Sequence, residues 1–155
     1  MNNNDLPPAS EQRYLQRLVR QFAPTRVAQQ LSDECVRCSV ASLFGLPREE
    51  VPHFFQEGKG SWYHPFSSWL EKRGMRADIW HHTLTPHDDD GPADWYLGYG
   101  DSGGNGSVGH MVVLHRGQVW HDPSGCGVTR WNAWVTVTEQ PNKPTEPRAE
   151  EVTHD

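Results

Sequence analysis

Residues 109–125 read GHMVVLHRGQVWHDPSG, two short β-type runs, 110–114 and 119–122, around a glycine. That pattern predicts a β-hairpin. A two-residue Arg-Gly loop would force Arg116 to a positive φ, whereas a three-residue loop over 115–117 leaves only Gly117 in the left-handed region. The three-residue loop is the cheaper choice and pairs Leu114 with Gln118, which sets His110 opposite Asp122 on one side of the sheet. Facing Cβ atoms lie about 4.5–5.5 Å apart, close enough for the carboxylate to orient the ring, fix its tautomer and stabilise the imidazolium. A one-residue slip would break the pair.

Upstream of the hairpin the apolar period is helical. Tyr14, Leu15, Leu18, Val19 and Phe22 form a stripe between Ser10, a candidate N-cap, and Pro24. Residues 35–44 place Val36, Val40, Leu43 and Phe44 on one side, with Asp33 or Ser32 as cap and Gly45 in the left-handed closing position. Trp62, Phe66, Trp69 and Leu70 mark a third helix before Gly74, with Pro65 in its first turn. Beyond it the period becomes two, and strands are expected at 75–80, 95–99, 110–114, 119–122 and 134–138. Helices first and strands second argue for an α+β fold with helices packed on an antiparallel sheet.

The 155 residues suit one domain, assigned to 10–138, flanked by a loose start at 1–9 and a tail at 139–155. The tail, EQPNKPTEPRAEEVTHD, is too rich in Pro and acid to bury apolar surface and is expected to be disordered. It carries half of the net charge of −6, so the body is only mildly acidic and neither nucleic acid nor anionic lipid is a favoured partner. Apolar residues make up 35%, a lean core to which seven Trp contribute much area. No apolar run reaches the ~20 residues of a membrane span, and MNNNDLPPAS lacks the regions of a signal peptide, so the expected location is the cytoplasm.

Three cysteines cannot all pair, which turns attention to thiol chemistry. Cys35 falls in the first turn of the second helix, where free N–H groups and the macrodipole favour a thiolate. A donor for the oxyanion of a tetrahedral intermediate is available from Gln29 or Gln30, with Gln29 preferred, together with the Cys35 N–H. Cys35 and Cys38 also form a CxxC, but a redox pair of that type should follow a buried strand, and RVAQQLSDE is polar. A zinc set of Cys35, Cys38, His110 and Cys126 lacks a second paired motif. His81, His82 and His87 beside Asp88, Asp89 and Asp90 read as a solvated acidic loop. GYGDSG at 98–103 matches GxGxxG only literally, since strand rather than helix follows. Trp120, Trp131 and Trp134 read as sheet-packing residues, whereas Trp62, Tyr63 and Gly109 are candidates for the substrate-binding cleft.

Gln29, then Asp33-Glu34-Cys35 opening a helix, then Gly109-His110-Met111-Val112-Val113, then His121-Asp122-Pro123, together resemble the papain-like cysteine peptidases. The stretch CVRCSVASLFGLPREEVPHF is similar to the compact bacterial peptidases that remove double-glycine leaders and to small papain-like proteins of phages. The resemblance spans about residues 29–125 and implies a papain-like fold with nucleophile Cys35, base His110, orienting acid Asp122 and oxyanion donor Gln29. Two positions depart from it: Glu34 stands where relatives usually carry Asp, and Cys38 where a small Ala is common. The expected function is a cysteine hydrolase acting on a peptide, isopeptide or related amide bond of a peptide or protein substrate, with no cofactor and no metal. A catalytically inactive papain-like interaction module, such as a phage protein binding a host factor, and an acyl transferase of transglutaminase type are the alternatives.

Overall fold

A computed structural model of the chain describes residues 22–55, 60–81, 92–102 and 109–139. The element order is α1 (Cys35–Phe44), a 3-10 turn (Arg48–Glu50), α2 (Tyr63–Glu71), then β1 (Met75–His81), β2 (Trp95–Ser102), β3 (Gly109–His115), β4 (Gln118–His121) and β5 (Val128–Glu139). The fold is α+β: the five strands form one antiparallel open sheet in the order β1-β5-β2-β3-β4. All five expected strands are present, and β5 begins six residues earlier than its apolar alternation suggests. Of the helix expected from Ser10, only Phe22 lies within the described residues; its ring meets Phe44 edge-on at 5.5 Å. The N-terminal nine residues, the tail after Glu139, the acidic segment 82–91 and the glycine-rich 103–108 lie outside the described residues.

Alternation along the strands divides the apolar residues between the two sheet faces. Leu97, Met111, Val113, Val135 and Val137 join Val36, Val40, Leu43, Phe66, Trp69 and Leu70 of the helices in the main core. Tyr96, Val112, Leu114 and Trp134 form a smaller cluster, joined by Trp131. Gly98 sits in this second cluster, where a Cβ would run into Leu114 and Trp131. Gly98 and Gly100 of the GxGxxG match are therefore strand residues in closely packed positions, and Gly103 lies outside the described residues. No helix among the described residues is long and apolar enough to cross a membrane.

Helix α1 closes as its sequence predicts. Gly45 takes φ 64°, and the N–H of Leu46 returns to Ala41 O at 2.9 Å, which satisfies the last carbonyls. A Cβ at Gly45 would also fall onto Ala23 O. Gly45→Ala should lower stability by more than the roughly 1–2 kcal/mol of a left-handed non-glycine residue, read as a shift in urea midpoint at unchanged m-value.

The start of α1 differs from expectation. Glu34, not Asp33 or Ser32, occupies the N-cap position, and no side chain caps the helix. Its carboxylate is instead held by Arg37 and Arg48, while His53 Nε2 meets Asp33 O at 3.0 Å.

The hairpin also departs in its turn. Arg116 and Gly117 both adopt positive φ, 48° and 80°, and His115 pairs with Gln118, so the loop has two residues rather than three. The arginine's strain is offset by a contact invisible to local reasoning: its N–H donates to Asp94 O at 2.9 Å and its Nε to Asp94 Oδ1 at 2.7 Å. A bulge then moves the register between Val113 and Leu114, so that Val113 faces His121. Asp122 lies beyond the end of β4 and is not cross-strand to His110.

Candidate active site

The chain just before α1 is threaded between that helix and the segment following β4. Thr25 N–H donates to Ser42 O at 2.9 Å and Val27 N–H to Ser42 Oγ at 2.9 Å. His121 Nε2 meets Val27 O at 2.8 Å, and Gln29 N–H donates to Pro123 O at 2.9 Å. On the other side Ser39 Oγ donates to Met111 O at 2.8 Å, tying α1 to β3. These bonds bring the three sequence segments that carry Gln29, Cys35 and His110 to one place.

There they border a cleft of about 590 Å³ whose lining includes Gln29, Cys35, Trp62, Gly109, His110 and Ser124. The Cys35 thiol lies 3.9 Å from Gly109 O, to which it donates. His110 is 4% exposed, and its Nε2 bonds to Asp122 Oδ1 at 2.7 Å. The expected imidazole–carboxylate pair is thus present although its register was misjudged. A loop, rather than a facing strand position, delivers the acid.

That loop is built around the carboxylate. Asp122 Oδ1 accepts from the N–H groups of Ser124 at 3.1 Å and Gly125 at 3.0 Å, and Oδ2 from the N–H of Gly127 at 2.8 Å. Gly125 and Gly127 both have positive φ, 70° and 79°, which lets successive N–H groups converge. Burial pushes the Asp122 carboxyl up, but the bonds from His110 and these backbone donors outweigh it and hold it below its ordinary value. Asp122 is therefore an anion at neutral pH. Ser124 Oγ, 3.2 Å from His110 Nε2 and 3.3 Å from Asp122 Oδ1, joins the pair. The dipeptide Asp-Pro followed by Ser-Gly was a turn signal that could have disclosed this serine.

The electrostatics of Cys35 depart from the sequence expectation. Burial raises its thiol, and the charge of Asp122 adds to that; hydrogen bonds from the N–H groups of Met111, Val36 and Cys35 itself counter only part. The helix terminus does supply donors, but desolvation wins and the resting sulfur is a neutral thiol.

Cys38 is fully buried and donates to Ala28 O at 3.7 Å. Burial, then the charge of Glu34, lifts its thiol to about 11. All three cysteines are free thiols, and Cys126 is exposed at the cleft. Iodoacetamide at pH 8 should consequently label Cys126 and Cys35, and Cys38 only after unfolding. Trypsin cleaves at Arg37 and so separates the Cys35 and Cys38 peptides for mass spectrometry.

Gly109 is at the cleft because nothing larger fits: a Cβ would fall onto the hydroxyl of Tyr99. Tyr99 and Trp62, ring centroids 5.5 Å apart, make an aromatic wall with Phe55. Tyr63, expected beside Trp62, does not border this cleft; its hydroxyl donates to Ala77 O of β1 at 3.4 Å. The reason is helical geometry, since consecutive residues of α2 diverge by about 100°. Among the described residues no group of three His, Cys, Asp or Glu side chains is arranged to hold a metal ion. No protein-family model, curated protein or solved structure matches the chain.

Proposed function

We propose that the protein is a papain-like cysteine hydrolase that cleaves a peptide or related amide bond through an acyl-enzyme on Cys35. The observation that carries this reading is one cleft bordered by a helix-start thiol and an imidazole whose Nε2 is tied to a carboxylate of the loop after β4. With Nε2 engaged by Asp122, Nδ1 is the nitrogen that takes the thiol proton as sulfur attacks the acyl carbon. Gln29 and backbone N–H groups at the start of α1 receive the oxyanion. In that role Nε2 of Gln29 is the donor, since its Oε1, which is buried with no hydrogen-bond partner among the described residues, can only accept. The imidazolium then protonates the leaving amine, and water, deprotonated by His110, releases the acid. The wall of Trp62, Tyr99 and Phe55 favours an apolar side chain near the scissile bond.

A peptide library derived from a bacterial proteome tests the reading. New termini should accumulate with the wild-type protein and not with Cys35→Ala; cleavage that survives this substitution overturns the assignment.

A further inference from the structure

The carboxylate next to the proposed nucleophile has no part in that mechanism, yet it is as heavily hydrogen-bonded as Asp122. Glu34 is fully buried. Its Oε2 accepts from the N–H groups of Leu31 at 3.0 Å and Gln30 at 3.3 Å and from Arg48 Nε at 3.0 Å. Its Oε1 accepts from Arg37 at 3.1 Å and from the second nitrogen of the Arg48 fork. Arg37 Nε in turn donates to Val51 O at 2.7 Å and Arg48 O at 3.1 Å, so the cluster is braced against the chain that follows α1.

The direction of these bonds matters. A residue at the first position before a helix ordinarily turns its side chain toward the helix N–H groups ahead of it. Glu34 turns back, to the two peptide groups that directly follow Gln29. Gln29 is gripped on its other side by Pro123, the neighbour of Asp122. The oxyanion donor is thus suspended between two anchors: the Asp122 loop through its own N–H, and Glu34 through the next two residues.

We infer that Glu34 is a positioning residue for acyl transfer, holding the 29–31 segment so that the Gln29 amide meets the oxyanion formed at Cys35. The inference rests on the hydrolase reading above. Five donors converge on this side chain, and only a carboxylate, with two acceptor oxygens and no hydrogen, accepts from all of them. A glutamine would face some of those donors with its own NH2 and release either the arginines or the 30–31 peptide groups.

Two thiol probes separate this role from a merely structural one. Acylation of Cys35 by p-nitrophenyl acetate passes through a tetrahedral oxyanion, whereas alkylation by iodoacetamide displaces iodide without one. Both are followed on the tryptic peptide ending at Arg37. Glu34→Gln should slow acylation by about 10-fold or more, approaching the ~10²–10³ loss of an entire oxyanion donor. Alkylation should stay within about threefold, and Glu34→Gln added to Gln29→Ala should cost less than about twofold further.

If Glu34→Gln does not fold, Glu34→Asp retains the charge, withdraws the carboxylate by one carbon and supports the same comparison. Equal losses on both probes, no loss of acylation, or full additivity with Gln29→Ala overturns the inference. Acylation that persists in Cys35→Ala overturns the nucleophile reading itself, a separate outcome.

Discussion

Replacing His110 with alanine should slow acylation of Cys35 by about 10²–10⁴, the usual contribution of a positioned general base. The loss should be large because the sulfur of Cys35 is held as a thiol by its own burial. A preformed thiolate would need no base, and His110→Ala would then leave acylation nearly intact at neutral pH. Asp122→Ala should reproduce much of the defect. It removes the acceptor of the 2.7 Å bond from the imidazole and orphans the N–H groups of Ser124, Gly125 and Gly127. Asp122→Asn separates the two effects, since it preserves a side-chain acceptor for the loop but cannot stabilise the imidazolium. Single-turnover acylation of each variant at pH 7, together with its urea midpoint, tests the ranking. An unimpaired His110→Ala would remove the imidazole from the mechanism.

Replacing Glu34 with alanine should cost the fold about 3–5 kcal/mol, the usual penalty for breaking a buried ion pair from one side. That is a large part of the ~5–15 kcal/mol that stabilises a typical domain. The alanine strands Arg37 and Arg48, whose side chains are only 18% and 15% exposed. Acid should expose the same dependence. Burial raises the Glu34 carboxyl, but the hydrogen bond from Arg48, the N–H groups of Leu31 and Gln30 and the Arg48 charge outweigh it and bring it to about 2 from 4.5. A carboxylate with a depressed folded-state value stabilises fully above its unfolded value and loses that contribution as pH falls toward the folded one. The window here runs from about pH 5 down to about pH 2, and the shift corresponds to roughly 3 kcal/mol. Urea midpoints at pH 7, 4 and 3 should fall steeply for wild type and more gently for Glu34→Ala, with Asp122 contributing to both in the same direction. Parallel pH slopes would show that Glu34 does not titrate with folding.

Local patterns made much of the fold legible. The helical stripe of 35–44 and Gly45 placed α1 and its closing turn, and period-two alternation located all five strands, because both signals depend on burial of one face. Features set by partners distant in sequence were not legible. Arg116 tolerates a positive φ because Asp94 receives it, and a turn chosen on local cost alone could not include that carboxylate. Glu34 is the clearest instance: glutamate is seldom buried, and the two arginines that make it possible lie three and fourteen residues away. Of the residues expected at the cleft, Gln29, Cys35, Gly109, His110 and Trp62 line it and Tyr63 does not. The hairpin pattern also suggested the His110–Asp122 contact, although the bulge at Val113 and the loop after β4 create it by another route. The protonation state of Cys35 was misread, since helix-end donors are visible in sequence and desolvation is not. Ser124 and Tyr99 entered only with the coordinates.

The most direct measurement is the location of the acyl group after a brief acid-quenched reaction with p-nitrophenyl acetate. A cleft in which His110 drives the Cys35 sulfur onto carbonyl carbon predicts an acetyl thioester on the tryptic peptide ending at Arg37 of the denatured protein, lost when the folded enzyme stands in neutral buffer before the quench and absent from His110→Ala. Acetylation found instead on Cys126, or a Cys35 thioester that forms equally fast without His110, would contradict it.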